Sequence, residues 1–330
     1  MSALLLPLTL SALLAGAPDE TRWYDRASCQ KGMEAVLSAD MDEAERRIKP
    51  LEASGDVEDQ ACGVWLRAAL AETQIAVGGR LPALMENRER VLLRMFKFAK
   101  VNGPKGQHLA DLEIEARMRR VRALVDKGDK GDALKEVNRT KDLLAQRKGA
   151  PGTPTQKYVS GIVNGAAANS GFPMRVVLGL AGLSGDSEEG RRHLMEVAKG
   201  TSVYRYDAMY VLHHFSRENR SEENGAPVDY SKTLFDRFPT NPQFTYDLAV
   251  DLYEAKRCKD SLAVLTDARK RLETEPQSWS STVRAKLYYI TGQCSAEVGD
   301  KVTAKRYAEL AKAQGFEELE DPIDDLIERL

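Results

Sequence analysis

The sequence predicts an all-α fold, and three observations carry that prediction. Ala, Leu, Glu, Arg and Lys dominate nearly every window, and these are strong helix formers. Apolar residues recur at three- and four-residue spacing, the period of a helix with one buried face. No run of alternating β-branched residues interrupts them, and Gly, Pro and Asp punctuate the chain at short intervals.

The elements follow in order. Residues 18–38 form a first helix with Trp23, Ala27, Ala35 and Val36 on its apolar positions. The turn Ala39 to Ala44 leads into a partner helix carrying Ala44, Ile48 and Leu51. Asp42 and Glu43 fall in its first turn, where carboxylates suit the helix dipole. A helix over 59–77 buries Val64, Trp65, Ala68, Ala71 and Ile75 and stops at Gly78-Gly79. Pro82 opens the next, with Leu84, Val91, Leu92, Met95 and Phe96. After the loop 102–107, two helices bracket the turn Gly128 to Ala133.

The break Gly149-Ala-Pro-Gly-Thr-Pro154 is the strongest in the chain and divides it into an N-terminal array of helical hairpins, 18–149, and a C-terminal array, 150–330. Small residues crowd 160–171, which implies closely crossing helices or a looser connection. Phe172-Pro173 opens a helix through Leu180, and Gly185 to Gly190 marks another hairpin turn. A helix with Leu194, Val197 and Ala198 follows, and then one over 204–215 with Ala208, Val211, Leu212 and Phe215 on its buried face. A polar loop, 219–227, and a helix ending at Phe238-Pro239 lead to the most regular portion. There Phe244, Leu248 and Leu252 are answered by Leu262, Leu265, Ala268 and Leu272. Pro276 ends that unit, and a second hairpin places Leu287, Ile290 and Cys294 opposite Ala304, Tyr307, Ala308 and Ala311.

A turn element recurs through this pattern. A small residue is followed five positions later by another at Ala39/Ala44, Gly128/Ala133, Gly185/Gly190 and Gly299/Ala304, with a weaker copy at Lys256/Ser261. The first eases the end of one helix, and the second lets its partner cross closely. Leu248, Ala249, Leu252, Ser261, Leu265, Ala268 and Pro276, then Gly292, Ala304 and Ala311, form a pattern that resembles the tetratricopeptide repeat. Gly32 and Ala44 fit the same register. The resemblance is clear over 241–315 and looser elsewhere. It implies an α-solenoid, a right-handed superhelix of stacked antiparallel hairpins whose first helices line a concave surface. Partner-specific motifs of that family, such as a carboxylate clamp of Lys and Arg, do not stand out.

With 48 basic and 50 acidic residues interspersed, the net charge of −2 gives no field that would draw nucleic acid or an anionic membrane. Residues 1–17 carry no charged side chain and end in small residues, the form of a secretory signal peptide. No later segment approaches the ~20 apolar residues of a membrane span. The mature protein is therefore expected to be periplasmic or secreted. Its four cysteines suit that compartment: Cys29 with Cys62, and Cys258 with Cys294, are each about one repeat apart, so two local disulfides are expected.

Catalytic signatures are missing from the sequence. It holds no Gly-x-Ser-x-Gly, no His-Glu-x-x-His, no phosphate loop and no dinucleotide fingerprint. Of the four histidines, only His213-His214 form a pair. Neighbours on a helix point about 100° apart, so neither a metal nor another cofactor is expected. A binding site is read instead from Tyr206, Tyr210, His213 and Arg217, which share one helix face, apart from the buried one, at i, i+4, i+7 and i+11. Tyr246, Tyr253 and Tyr289 occupy comparable positions on later helices. Tyr and Arg offer contact area and hydrogen bonds together, which suits a protein or peptide partner. The competing reading has these tyrosines covering the seams between repeats. The function expected is a non-catalytic exported scaffold that binds a protein or peptide. The alternative is a structural component of an envelope assembly, and an enzyme on a helical toroid comes third.

Overall fold

A computed structural model describes residues 22–147, 152–169, 187–219, 227–274 and 279–330, without side chains at 166–169, 218 and 219. The expected signal peptide 1–17, the helix through Leu180, the Gly185 end of its turn, most of the 219–227 loop and Pro276 lie outside them. The described residues are overwhelmingly helical, joined by short turns, with no strand.

Fifteen α-helices follow one another among the described residues. They are α1 (Ala27–Leu37), α2 (Met41–Glu52), α3 (Val57–Gly78), α4 (Pro82–Asn102), α5 (Gln107–Asp126), α6 (Lys130–Gln146), α7 (Pro154–Asn169), α8 (Ser187–Lys199), α9 (Arg205–Asn219), α10 (Pro227–Arg237), α11 (Pro242–Glu254), α12 (Cys258–Thr274), α13 (Ser281–Glu297), α14 (Lys301–Lys312) and α15 (Glu320–Arg329). Each packs closely on the next in sequence, while α6 meets α7 only through the small cluster that joins Leu143 and Leu144 to Val159 and Val163. The odd-numbered helices also pack on one another, α1 on α3, α3 on α5, α5 on α7, α7 on α9, α11 on α13 and α13 on α15. The result is a row of hairpins whose first helices form one layer and whose second helices form the other, as a helical repeat requires.

The hairpin turns obey one local rule. Ala39, Gly128, Lys256 and Gly299 all sit at positive φ, between 55° and 86°. The residue five positions on, Ala44, Ala133, Ser261 or Ala304, is fully buried where the two helices cross. At three of the four turns an Asp caps the second helix. Asp40 accepts from the Glu43 N–H, Asp129 from Asp132 and Asp300 from Thr303. Ser261 instead turns its hydroxyl to the Ala249 carbonyl at 2.9 Å. The small residues before 166 serve closely packed helices. A Cβ on Gly165 would lie 2.1 Å from the Phe215 ring, and Gly161 and Gly190 face each other across α7 and α8.

Buried side chains anchor the early hairpins. Trp23, Trp65 and Tyr204 stack within 6 Å of one another, from three separate parts of the chain. Cys29 on α1 and Cys62 on α3 stand at disulfide distance, their Cα atoms 5.7 Å apart. The second expected bridge is not formed: Cys258 and Cys294 are free and buried. Both lie in the apolar core between α11, α12 and α13, where a thiol packs as a small hydrophobe. Burial, with Cys258 alongside, pushes the Cys294 thiol up to about 12.

The row also folds back on itself. The Tyr24 carbonyl accepts the Val203 N–H at 3.0 Å, and Asn241 Nδ2 donates to the Leu37 carbonyl at 2.7 Å. Ser280 N–H reaches the Val77 carbonyl at 3.0 Å. The first two odd helices thus seat against the turns that open α9, α11 and α13. No helix among the described residues is long and apolar enough to cross a membrane.

Candidate functional site

The odd-numbered layer collects the polar side chains that an all-helical core would otherwise exclude. On α3 and α5, Glu72, Glu115 and Arg119 form a chain: Arg119 Nη1 donates to Glu72 at 2.6 Å, and its Nε donates to Glu115 at 2.9 Å. Arg122, one turn on, is exposed yet lies in the field of Glu72, Tyr210, Asp126 and Tyr158. Tyr158 comes from α7, and Asp207 and Tyr210 from α9. Burial pushes the Asp207 carboxyl up to about 7, although Arg119 and Arg122 pull the other way. Burial likewise pushes the Tyr158 and Tyr210 phenols well above their ordinary range. Charges of both signs, interleaved with phenols, therefore run across successive odd helices.

Of the residues expected to form the site, His213, Arg217 and Tyr210 come together with α11. His213 differs from expectation. It is wholly buried, with Nε2 2.8 Å from Asp251 Oδ2. The sequence placed it on an open face, but α9 is covered on a second side by α11. Conversely, Val211 and Phe215, expected in the core, are only half-buried. Arg217 reaches Asp251 at 3.3 Å and Glu254 at 3.1 Å. Tyr210 packs edge-on to His214, with ring centroids 4.5 Å apart, and against Phe244.

The other tyrosines serve the seams between helices. Tyr206 meets the Phe238 ring edge-on at 4.9 Å, beside α10. The Tyr253 hydroxyl donates to Gln293 at 3.3 Å, and the amide of Gln293 in turn donates to the Tyr289 oxygen, which ties α11 to α13. Tyr246 lies under the Lys286 ammonium, 5.6 Å from its ring centre, and burial beside Asp247 pushes its phenol up to about 12.

Sequence reasoning missed the carboxylates of α11. Asp247 and Asp251 are 2% exposed each, one turn apart on a helix otherwise buried through Phe244, Leu248, Ala249 and Leu252. Two acids on the core-facing side of such a helix were the available signal, since buried carboxylates need partners. Asp247 Oδ1 accepts from Gln243 Nε2 at 2.9 Å, while its Oδ2 has no partner, nor has His213 Nδ1. His213, His214 and Asp247 each offer a ligand atom, and these atoms lie within 4.8 Å of one another. The angular offset between the two histidines is thus bridged from the neighbouring helix, an arrangement that reading along a single helix could not anticipate.

Comparison with protein families and with curated proteins finds no match for this chain.

Proposed function

We infer that the protein is an exported, non-catalytic scaffold of tetratricopeptide-like hairpins that binds a protein or peptide along its odd-numbered helices. The observation that carries this reading is Arg122. It stands exposed, and its charge is felt across the layer by Glu72, Tyr158, Asp207 and Tyr210, drawn from three other helices. A solvated surface arginine needs no such surroundings. A residue that must meet the backbone and side chains of an extended ligand does, because guanidinium, carboxylate and phenol together offer donors, acceptors and apolar area. On this reading the layer is the concave side of a right-handed superhelix, and the Cys29–Cys62 pair supports a periplasmic or secreted location.

The test is position-specific photocrosslinking in intact cells. A benzophenone side chain replaces Arg122 in one strain and Val302, which is 84% exposed on α14, in another. A crosslinked species at 122 that is missing at 302 supports the groove. Identical products at both positions, or products at 302 alone, would favour an assembly role through the outer layer.

A further inference from the structure

We propose that His213, His214 and Asp247 form a binding site for one divalent transition-metal ion of the zinc class. The site joins α9 to α11, and four observations lead to it.

The donors are already gathered. One ligand atom from each residue lies within 4.8 Å of the other two. Around zinc, nitrogen and oxygen ligands stand at about 2.0–2.2 Å in a tetrahedron, which separates them by roughly 3.3–3.6 Å. Contraction by about an ångström, within the reach of side-chain torsions, completes the geometry.

Two of the three residues carry a buried atom that lacks any partner. His213 Nδ1 and Asp247 Oδ2 are buried and make no hydrogen bond, on residues 0% and 2% exposed. Folded proteins leave few polar atoms in that condition, because a buried donor or acceptor without a partner has lost its hydration and gained nothing in return. A cation between them satisfies both at once.

The supporting contacts are those that a metal-bound histidine and carboxylate require. His213 Nε2 is held by Asp251 at 2.8 Å, which leaves Nδ1 as the nitrogen for the ion. Asp251 is itself steadied by Arg217 at 3.3 Å. The second oxygen of Asp247 is fixed by Gln243 at 2.9 Å. Such carboxylate–histidine–metal relays orient the ring and raise its basicity.

The donor set selects the ion. Two imidazoles and one carboxylate suit zinc, cobalt, nickel or copper, whereas calcium and magnesium require shells of oxygen. Three protein ligands leave one coordination position open. His214 is the only one of the three that is partly accessible, so exchange with solvent takes place at its side of the cluster.

The experiment uses untagged full-length protein stripped with chelator and then titrated with Co²⁺, whose visible absorption reports tetrahedral coordination. Bound zinc is counted by mass spectrometry after dialysis against Zn²⁺. One ion per chain and a tetrahedral cobalt spectrum are expected. His214→Ala should abolish the spectrum, and Asp251→Asn should weaken binding on the order of 10–100-fold through the loss of the relay. His193→Ala, outside the cluster, should leave both readings unchanged. His214 is partly exposed, so its replacement should fold, and circular dichroism with the thermal midpoint confirms that it does. No metal retained by the wild-type protein, or a cobalt spectrum unaltered in His214→Ala, overturns the site.

Discussion

The indole N–H of Trp65 on α3 donates to Glu115 on α5 at 2.6 Å, where both side chains are almost wholly excluded from water. The same carboxylate accepts two guanidinium N–H groups from Arg119 and the hydroxyl of Tyr204. One buried anion thus joins three stretches of chain. Removing it strands four donor groups on three residues, and breaking a buried charged pair on one side costs about 3–5 kcal/mol. Glu115→Ala should lower the free energy of unfolding by that amount, and Glu115→Gln, which keeps an acceptor, by about 1–3 kcal/mol. Urea denaturation followed by circular dichroism measures both. A Glu115→Ala protein within about 1 kcal/mol of wild type would show that the network carries no net stability.

Asp207 gives the protein a pH dependence of unusual sign for a carboxylate. Burial raises its pKa from 3.8 to about 7, with Glu115 and Glu72 adding to the rise and Arg119 and Arg122 opposing it. Between those values the folded chain binds more protons than the unfolded one. The contribution of Asp207 is therefore favourable at low pH and is lost as pH climbs through about 7. Partial exposure and solvent screening reduce the effect, so Asp207→Asn should gain about 1–2 kcal/mol at pH 8 and nothing at pH 4. Thermal melts of both proteins across that range decide the matter. A substitution equally costly at pH 4 and pH 8 would mean that the carboxylate is held as an anion throughout.

The cysteines divide into a bridged pair and a free pair. Non-reducing mass spectrometry of the purified protein should find Cys29 joined to Cys62, with two thiols that react only after denaturation. Closing a loop of 33 residues stabilises by about 3–4 kcal/mol in the chain-entropy account. Replacing both Cys29 and Cys62 by Ala should cost that much, while Cys258→Ala should cost only the packing of one small buried side chain. Four thiols that react after denaturation without reductant would remove the support that the pair lends to export.

The outline of the fold was legible because it is local. Helix periodicity and the five-residue rule at Ala39/Ala44, Gly128/Ala133 and Gly299/Ala304 both act within a few residues. What could not be read is set by contacts between distant helices. The return of α1 and α3 onto the turns before α9, α11 and α13 depends on pairs such as Asn241 with Leu37, roughly two hundred positions apart. His213 looked open because only its own helix was considered. Its burial is imposed by Asp251, on a helix whose acids gave no hint of which neighbour they would meet. The Tyr253, Gln293 and Tyr289 contacts were unreadable for the same reason, and they tie α11 to α13 through the hydroxyls of two tyrosines expected at the partner site.

The turns offer the simplest check on the local rule itself. Ala39 and Lys256 adopt φ of 55° and 62°, where Gly128 and Gly299 stand in the equivalent turns. A side chain in the left-handed region costs about 1–2 kcal/mol, and glycine avoids that penalty while losing about 0.5–1 kcal/mol of chain entropy. Lys256→Gly and Ala39→Gly should therefore each stabilise by roughly 0.5–1 kcal/mol. The gain at 256 is the smaller, because the Lys256 ammonium also lies 5.8 Å from the centre of the Tyr253 ring. The two turns are in separate hairpins, so the double variant should show the sum of the single effects. Denaturant midpoints with an unchanged slope would confirm the gain as one of stability. A loss at either position would mean that its turn is held by more than backbone conformation.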